Sequence, residues 1–282
     1  MSGAITAAVN KIIPFSSVDG PGNRTAIFLQ GCNFNCQYCH NPETIGECVH
    51  CGFCVRHCPT GALSLQDGQV CYDAEKCVQC DACFLHCRNG ASARIRNMTP
   101  QQVMAQVRQN MPFIRGITLS GGECTRHRDF LVELLTLAKA EGLHTLLDTN
   151  GSYPFETDPA LMAVTDGVML DVKAWDGGEH YRLTGQLNDT VLRNLRWLAQ
   201  TGKLTEVRTV IVPELFNCRE TVEHVSALLQ KTGSVGTRYK IICYRPNGVR
   251  QQYRHLKSPT ADTLQELATL AAAYGLQDVV IL

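Results

Sequence analysis

An apolar β-strand pattern leads directly into three cysteines in the stretch Thr25-Ala26-Ile27-Phe28-Leu29-Gln30-Gly31-Cys32-Asn33-Phe34-Asn35-Cys36-Gln37-Tyr38-Cys39-His40. Cys32, Cys36 and Cys39 have the spacing Cys-x3-Cys-x2-Cys, and no fourth cysteine follows at a matching interval. Three thiolates leave one iron of a four-iron cubane without a protein ligand, and catalysis at a metal requires such an open coordination site. A zinc site completed by His40 is the alternative. The stretch therefore predicts a catalytic metal centre just after a strand.

The composition is that of an ordinary globular chain. Its 282 residues, 44% of them hydrophobic, can bury the core of one large domain or of one domain with a small insert. Lys and Arg total 26, as do Asp and Glu, so the charge balance argues against a nucleic-acid binder. The N-terminal sequence has no basic region followed by a long apolar run, and no apolar stretch is long enough to span a bilayer. These features predict a cytoplasmic protein without a membrane partner.

Fifteen cysteines are many for a cytoplasmic chain, in which disulfides are rare, so their spacing must distinguish metal sites from buried thiols. Eleven of them fall in three runs between Cys32 and Cys87. The other four stand outside any run, and we expect them to be ordinary buried thiols: Cys71, Cys124, Cys218 and Cys243.

Two of the runs repeat the pattern Cys-x2-Cys-x2-Cys-x3-Cys, which is the spacing of bacterial two-cluster ferredoxins. In that pattern the fourth cysteine of each run ligates the cluster of the other run. The predicted ligands of one [4Fe–4S] cluster are therefore Cys48, Cys51, Cys54 and Cys87. Those of the other cluster are Cys58, Cys77, Cys80 and Cys83. Pro59 follows the first run, as the pattern prefers, whereas Arg88 follows the second; a zinc ribbon is the alternative.

The segment around these two runs differs in composition from the rest of the chain. It is crowded with cysteine and glycine and has no helical apolar period of useful length. We predict that residues 46–95 form a ferredoxin-like insert holding two clusters. It would interrupt one larger domain made of residues 1–45 and 96–282.

Outside the insert, short β-rich runs alternate with amphipathic helical runs, as in βα units around a parallel sheet. The predicted strands are residues 25–30, 117–120, 144–148, 167–172, 206–212, 239–243 and 278–282. Three helices are predicted between these strands. One begins at Thr99-Pro100, the second carries an apolar stripe from Phe130 to Ala138, and the third runs from Val191 to Gly202. Because the chain outside the insert is shorter than the roughly 250 residues of a closed eight-unit barrel, we predict an α/β fold with an incomplete (β/α) barrel.

Polar motifs follow three of the predicted strands, which is where active sites lie in such barrels. Gly121-Gly122-Glu123 offers a close backbone approach and a carboxylate for an ammonium group, although a plain turn is the alternative. The next strand ends in Asp148-Thr149-Asn150-Gly151 and the one after it in Asp171-Val172-Lys173. Together these groups could position a zwitterionic amino acid. The alternatives are a turn cap for Asp148 and a solvated side chain for Lys173.

Three stretches resemble the radical S-adenosylmethionine (SAM) activases of glycyl radical enzymes, the pyruvate formate-lyase activase family. They are Val18-Asp19-Gly20-Pro21-Gly22-Asn23-Arg24, Phe28-Leu29-Gln30-Gly31-Cys32 and Tyr38-Cys39-His40-Asn41-Pro42. The resemblance covers nearly the full length of the chain. It implies that Cys32, Cys36 and Cys39 hold a [4Fe–4S] cluster, to whose open iron SAM binds through its amino and carboxylate groups. Tyr38 and His40 would line the SAM site.

The resemblance also assigns the later motifs. Gly121-Gly122-Glu123 is similar to the motif that binds the SAM amino group, although Cys124 follows where many relatives have proline. The motifs at Asp148 and Asn150, and at Asp171, Val172 and Lys173, match activase motifs, and some members of the family place a monovalent cation there.

Two further positions match less closely. Arg208 stands where activases carry an arginine facing the active site, with a surface strand position as the alternative. Arg245 stands where simpler activases have a histidine contacting SAM; an arginine can hydrogen-bond SAM but does not titrate near neutrality.

The activity implied by the resemblance is that of an anaerobic oxidoreductase. The reduced cluster passes one electron to SAM, giving methionine and a 5′-deoxyadenosyl radical that removes a hydrogen atom from a glycine α-carbon of a partner glycyl radical enzyme. A low-potential electron donor such as flavodoxin or ferredoxin would supply the electron. The insert and the stretch Tyr244-Arg245-Pro246-Asn247-Gly248-Val249-Arg250 make the chain most similar to the YjjW type of activase.

Three other functions remain open at this point. A radical SAM enzyme acting on a small molecule would keep the SAM motifs but lack the activase stretch at residues 18–24. A pure electron carrier would need only the insert. A zinc-stabilised binding protein would be colourless and contain no sulfide.

Overall fold

The computed structural model describes residues 4–282, so Met1, Ser2 and Gly3 of the predicted first core segment lie outside it. The chain divides into two compact units. The first comprises residues 4–33 and Asn41–Leu143, and the second comprises Phe34–His40 and His144–Leu282. The predicted insert lies within the first unit.

The first unit contains six strands and three α-helices among its described residues. The strands are β1 Ala7–Ser16, β2 Arg24–Leu29, β3 Leu63–Gln66, β4 Gln69–Tyr72, β5 Arg96–Met98 and β6 Gly116–Gly121. The helices are α1 Ala82–Leu85, α2 Pro100–Arg108 and α3 Arg128–Ala140. Four of the strands pair in the order β6-β2-β1-β5, with β2 and β6 parallel and β1 antiparallel to both of its neighbours. Because β2 is almost wholly buried, its sequence Arg-Thr-Ala-Ile-Phe-Leu is a nearly continuous apolar run.

The predicted insert has little regular structure. Its largest element is the antiparallel hairpin of β3 and β4, and α1 is a single turn of four residues. Its two ends lie side by side, because the Gly46 N–H donates to the Gly90 carbonyl at 3.3 Å and the Ser92 N–H donates to the Glu43 carbonyl at 2.8 Å. A Cβ added to Gly46 would meet the Asn89 carbonyl oxygen at 1.9 Å, so only glycine fits where the ends meet.

The second unit is a run of parallel strands connected by helices. Its strands are β7 His144–Thr149, β8 Gly167–Asp171, β9 Leu204–Ile211, β10 Arg238–Cys243 and β11 Val279–Ile281. Its helices are α4 Pro159–Ala163, α5 Gly177–Thr184, α6 Asp189–Gln200, α7 Cys218–Lys231 and α8 Ala261–Ala273. The strands pair in chain order, and every pair is parallel. This arrangement places the carboxyl ends of β7, β8 and β9 along one edge of the sheet.

The α/β prediction is confirmed as an open, mostly parallel sheet. Each of the seven predicted strands is present, with bounds that differ by at most two residues. The predicted start of α2 is also confirmed: the Thr99 hydroxyl accepts from the Gln102 N–H, the Gln102 side chain accepts from the Thr99 N–H, and Pro100 is the first helical residue. The sequence patterns did not predict β1, the hairpin or β5. Among residues 4–282, no helix is long and apolar enough to cross a membrane.

Candidate active site

The three cysteines after β2 are distributed over both units. Cys32 belongs to the first unit, where it is half-buried in a backbone that continues the sheet edge. The Gly31 N–H donates to the Thr44 carbonyl at 2.8 Å, and the Cys32 N–H donates to the Ile45 carbonyl at 2.9 Å. These two bonds fix the point at which the chain leaves β2.

Cys36 and Cys39 belong to the second unit, in the segment Phe34–His40. The Asn35 N–H donates to the Thr184 carbonyl at 2.7 Å, and the Gln37 N–H donates to the Leu183 carbonyl at 3.0 Å, so the segment is bonded to the C-terminal end of α5. The Cys39 N–H donates to the Cys36 carbonyl at 3.2 Å, which makes a tight turn between the two cysteines. Cys36 is buried, and Cys39 is half-buried.

Tyr38 is fully buried beside a lysine. The Lys173 ammonium nitrogen lies 5.9 Å from the centroid of the Tyr38 ring, a cation–π contact. Burial raises the pKa of the Tyr38 phenol, so the hydroxyl is neutral at physiological pH. Within residues 4–282 this hydroxyl has no hydrogen-bond partner. A buried donor without a partner is costly, and a bound ligand with an acceptor atom would relieve that cost.

Charged side chains are paired at the ends of β8 and β9. The Lys173 ammonium donates to Asp171 Oδ2 at 2.6 Å. The Arg208 guanidinium donates through Nη1 to Asp148 Oδ1 at 3.0 Å and through Nε to Glu206 Oε1. The structure thus brings together four residues that the sequence assigned to the SAM site: Asp148, Asp171, Lys173 and Arg208.

The carboxylates keep these two cations charged. Burial by itself lowers the pKa of Arg208, but Asp148 and Glu206 outweigh burial and raise it. Burial likewise lowers the pKa of Lys173, but Asp171, Tyr38 and Cys36 together outweigh burial and raise this pKa well above its usual value. Both side chains therefore carry a positive charge across the physiological pH range. Arg208 is not a surface strand residue, since its side chain is only 12% exposed.

Gly121 and Gly122 lie in the first unit and are packed against its backbone. A Cβ on Gly121 would meet the Leu29 carbonyl oxygen at 2.2 Å, and one on Gly122 would meet the Gly31 carbonyl oxygen at 2.3 Å. The Glu123 N–H also donates to the Gly31 carbonyl, at 2.8 Å. The two glycines thus let this motif lie directly against the residue that precedes Cys32.

Glu123 is buried, and one of its oxygens serves the turn that follows. Oε1 accepts from the Thr125 hydroxyl at 2.6 Å and from the Thr125 N–H at 3.1 Å. This contact is the helix-cap geometry expected of a plain turn. A carboxylate has acceptor capacity for more than these two bonds, so the cap is compatible with ligand binding.

The remaining predicted SAM-site residues lie in the second unit. Asn150 is buried and its Oδ1 accepts from the Ser152 N–H at 2.9 Å, and the Val172 N–H donates to the Arg208 carbonyl at 2.9 Å. His40 Nε2 lies 2.9 Å from the backbone carbonyl oxygen of Arg245. This contact is made by the backbone of Arg245, whose side chain is exposed.

The insert cysteines line two cavities. One cavity, of about 320 Å³, is lined by the predicted ligands of one cluster, Cys48, Cys51, Cys54 and Cys87. A second cavity, of about 20 Å³, is lined by the predicted ligands of the other, Cys58, Cys77, Cys80 and Cys83. Cys83 also borders the larger cavity. The donor set is eight thiols, the ligand type of [4Fe–4S] clusters, and each fourth cysteine lies with the opposite run.

The internal repeat of the insert extends to its backbone. His50 and Gln79 occupy equivalent positions in the two runs, and both adopt left-handed conformations, with φ of 54° and 53°. Their N–H groups donate to the sulfurs of Cys48 and Cys77, each at 3.4 Å. All non-glycine residues with left-handed φ in the described chain lie in the insert. Such strain persists where surrounding structure requires it, typically at ligand sites.

The thiols outside the runs divide into two groups. Cys124 and Cys218 are buried, as predicted, and burial raises the pKa of Cys218 to about 12. Cys71 and Cys243 are only half-buried.

Within residues 4–282, no three His, Cys, Asp or Glu side chains are grouped so that they could hold a single metal ion.

Sequence reasoning missed three residues near the second unit's motifs. Glu206 accepts from both Arg208 and the Lys240 ammonium, which lies 2.9 Å from Glu206 Oε2. Arg250 donates to the backbone carbonyls of Asn35 and Cys36. Glu206 lies two residues before Arg208 on β9, which is the signal that could have found it. Arg250 is 214 residues from Cys36 and left no local signal.

The activase stretch at residues 18–24 has a structural role in the first unit. Arg24 is fully buried and donates through Nε to the Thr118 hydroxyl at 2.8 Å and through Nη2 to the Ile117 carbonyl at 2.6 Å. The Thr118 hydroxyl in turn donates to the Asp19 carbonyl at 2.6 Å. These bonds attach the connection between β1 and β2 to β6.

The sequence model of the Radical SAM superfamily matches residues 26–225. The chain is similar to the pyruvate formate-lyase-activating enzyme of Streptococcus mutans, with 31% identity over 94% of this chain and 91% of that protein. It is also similar to the (2S)-3-sulfopropanediol sulfolyase activating enzyme of Bilophila wadsworthia, with 32% identity over 86% of each chain. The crystal structure of a domain of pyruvate-formate lyase-activating enzyme from Bacteroides vulgatus has a TM-score of 0.51, with 20% identity, over 59% of this chain and 98% of that one.

Proposed function

The chain belongs to the radical SAM superfamily and, within it, to the activating enzymes of glycyl radical enzymes, and we propose that it works with three [4Fe–4S] clusters. It is an oxidoreductase that activates a partner glycyl radical enzyme. The observation that carries this function is similarity to a curated activating enzyme over 94% of the chain. The cysteine triplet and the charged strand ends lie within the region matched by the superfamily model.

When bound, the catalytic cluster would supply the electron that cleaves SAM, and SAM would supply the radical that removes one hydrogen atom from a glycine α-carbon. We assign Cys32, Cys36 and Cys39 as the protein ligands of this cluster. Burial raises the pKa of the Cys36 thiol, so iron must displace a proton there when the cluster is loaded. Three thiol ligands leave one iron for SAM.

The second unit supplies charges that match the amino acid part of SAM. Lys173 and Arg208 remain cationic and can receive a carboxylate, whereas Asp171 and Asp148 can receive an ammonium. The buried Tyr38 hydroxyl, which has no partner within residues 4–282, can receive a further polar atom. We assign the remaining SAM contacts to His40, Gly121, Gly122, Glu123, Asn150, Val172 and Arg245.

Residues 46–95 form a ferredoxin-like insert with two clusters. Support comes from the two cavities lined by the crossed sets of four cysteines, and from the repeated N–H to sulfur bonds of His50 and Gln79. The close contact between Gly46 and Asn89 supports an insert whose ends meet in one larger domain. Held by the two sets of four cysteines, its clusters would supply a path for electrons from a donor protein to the catalytic cluster.

The cellular setting completes the proposal. The donor is a low-potential carrier such as flavodoxin or ferredoxin, and the protein acts anaerobically in the cytoplasm. The subtype is the YjjW type, supported by the position of the insert and by the stretch at residues 244–250.

Two measurements on anaerobically reconstituted protein test this function. Iron and sulfide analysis should give roughly twelve irons per chain, because three four-iron clusters are assigned. About four irons would overturn the insert assignment, and a colourless zinc protein would overturn the assignments of the insert clusters and of the catalytic cluster.

After reduction and addition of SAM, 5′-deoxyadenosine should form and a radical should appear on a separately purified glycyl radical enzyme from the same cell. Omitting SAM provides the control, and turnover of a small molecule without any protein radical would contradict the activase function.

A further inference from the structure

The backbone of the segment that carries Cys36 is bonded on two sides. Its N–H groups at Asn35 and Gln37 donate to carbonyls at the end of α5. Its carbonyl groups at Asn35 and Cys36 accept from Arg250 Nη2, at 3.1 and 2.9 Å. Arg250 Nη1 also donates to the Asn35 side-chain Oδ1 at 2.6 Å. One guanidinium therefore makes three hydrogen bonds to two consecutive residues of the segment.

The geometry of these bonds suits arginine and no other side chain. A guanidinium presents its donors in a rigid planar fork, whereas a lysine ammonium is a single point of charge. Arg250 is itself held in place, because its guanidinium carbon lies 5.1 Å from the centre of the Tyr253 ring. Since both arginine and ring belong to one loop, the fork is presented to the segment in a fixed orientation.

The bond to the Cys36 carbonyl has consequences beyond one residue. That carbonyl also accepts from the Cys39 N–H, so Arg250 is attached to the turn that relates the two cysteines. Hydrogen bonds from a charged donor are stronger than those between neutral groups. The arginine also places a permanent positive charge near a thiolate ligand, and charge near an iron–sulfur cluster sets its reduction potential.

We propose that Arg250 is a positioning residue for the catalytic cluster: its guanidinium fixes the backbone that carries Cys36 and raises the reduction potential of the cluster held there. The positive charge favours the reduced state, which is the more negative state of the cluster. This inference rests on the assignment of Cys36 as a ligand under the proposed function. The contact itself belongs to the chain and exists without the cluster.

Three variants separate geometry from charge. Arg250→Gln removes the charge and most of the fork, while Arg250→Lys keeps the charge without the fork. Arg254→Gln is the matched control, because Arg254 lies in the same loop and, among residues 4–282, donates to the Val249 carbonyl at 2.9 Å and not to the Cys36 segment. Circular dichroism of each variant establishes that the fold is retained.

The first readout is hydrogen–deuterium exchange in protein without clusters. Exchange of the amides at residues 35–39 should accelerate at least about tenfold in both Arg250 variants, because their backbone loses charge-assisted bonds. Exchange in α6 should be unchanged, and Arg254→Gln should match the wild type in both segments. Wild-type exchange rates at residues 35–39 in Arg250→Gln would overturn the proposal.

The second readout is the midpoint potential of the reconstituted protein, followed through the electron paramagnetic resonance signal that changes on SAM addition. Arg250→Gln should lower this potential, Arg250→Lys should restore it toward the wild-type value, and Arg254→Gln should shift it less than Arg250→Gln. Equal shifts in Arg250→Gln and Arg254→Gln would overturn the electrostatic part of the proposal. If the wild type shows no SAM-responsive signal, the proposed function fails, whereas the exchange result still decides whether Arg250 fixes the segment.

Discussion

In the second unit, the charged side chains at the ends of β7, β8 and β9 are already paired with one another, whereas the insert gives its cysteines few partners. Arg208 binds Asp148 and Glu206, and these groups are at least 87% buried. In the insert, the sulfurs of Cys48 and Cys77 each accept a backbone N–H at 3.4 Å, and the Cys48 sulfur also lies 4.0 Å from His50 Nδ1. The two regions therefore prepare their chemistry differently.

The same contrast appears in how each region is stabilised. The second unit buries aliphatic residues from four strands, β7 to β10, and from their helices, including Leu147, Leu170 and Val207. The small core of the insert consists of Cys54, Leu63, Cys83 and Ala93, so half of it is made of predicted ligands. A region with so little apolar burial depends on metal for much of its stability. We therefore infer that the second unit is preformed, whereas the proposed clusters would complete the insert.

The largest predicted effect separates the two kinds of cysteine. Cys36→Ala should reduce SAM cleavage to the background of the assay, even with a strong chemical reductant. The reason is that the cluster whose open iron binds SAM loses one of its three protein ligands. Cys54→Ala or Cys80→Ala should instead lower the iron content and greatly slow activation by a protein donor, while chemical reductant still supports SAM cleavage. The measurement is 5′-deoxyadenosine formation with each type of reductant.

Cys71→Ala is the control for the insert variants, because Cys71 lies in the hairpin of the insert but outside the cysteine runs. Each variant must first be shown to fold, since metal binding and folding are coupled. Insert variants that retain the catalytic cluster and accept electrons from the donor at the normal rate would show that the insert clusters are not the relay.

Removing iron should unfold the insert and leave the second unit intact. With a chelator present, amide exchange in β3 and β4 should accelerate to nearly the rate of an unstructured chain, because the remaining apolar core is small. Exchange in β8 and β9 should change little. Equal loss of protection in both regions would contradict the contrast between a cluster-dependent insert and a preformed unit.

Gly122→Ala tests the close packing in the first unit. The new Cβ would meet the Gly31 carbonyl oxygen at 2.3 Å and the Thr44 carbonyl oxygen at 2.6 Å, neither of which can rotate away. We expect a loss of about 3 kcal/mol or more in the free energy of unfolding, at the upper end of overpacking effects. Urea titration of the cluster-free protein measures it.

Gly142→Ala is the control for that variant. Gly142 has φ of 76°, but a Cβ there would meet nothing within 4 Å, so the substitution imposes only backbone strain. The expected loss is about 1–2 kcal/mol. If the two variants are equally stable, the close approach at Gly122 is not what requires glycine.

The smallest predicted effect is a pH dependence of stability in the second unit. Burial lowers the pKa of His180, which packs against Phe34 at a ring distance of 5.3 Å. Histidine in the unfolded chain has a pKa of about 6.5, so below that pH the unfolded chain binds more protons than the folded chain. The free energy of unfolding therefore falls as pH decreases from about 6.5 toward the folded-state pKa of His180. The slope from one group is at most about 1.4 kcal/mol per pH unit.

Comparison with His180→Asn isolates this contribution. The variant should be less stable at pH 7.5 but should lose less stability than the wild type between pH 7 and pH 5. Parallel curves for the wild type and His180→Asn would show that His180 does not titrate on unfolding.

The sequence predicted those parts of the molecule in which local pattern and tertiary role agree. The buried strands read as apolar runs, and Thr99-Pro100 named the start of α2. By contrast, β1 contains Lys11 and Pro14 and has two register irregularities with β2, so its alternation is interrupted. The spacing of the insert cysteines predicted the grouping around its two cavities, because ferredoxin spacing is itself a geometric constraint.

What the sequence could not supply are contacts made between distant segments. The resemblance assigns Arg245, in the loop after β10, to the SAM site, whereas no sequence pattern indicates that Arg250 of the same loop contacts the Cys36 segment. Both are arginines in one short stretch, and only the folded path of the loop distinguishes them. The pairing of Glu206 with Lys240 likewise depends on the register of β9 and β10.

Isotope transfer tests the activase function most directly. A partner glycyl radical enzyme is prepared with α-deuterated glycine, and the activating chain is supplied with SAM and reductant under anaerobic conditions. Because the function requires removal of one hydrogen atom from a glycine α-carbon, we predict that the 5′-deoxyadenosine formed carries one deuterium, and that a glycyl radical signal grows in proportion to it. Unlabelled 5′-deoxyadenosine, formed without any radical on the partner, would contradict the account.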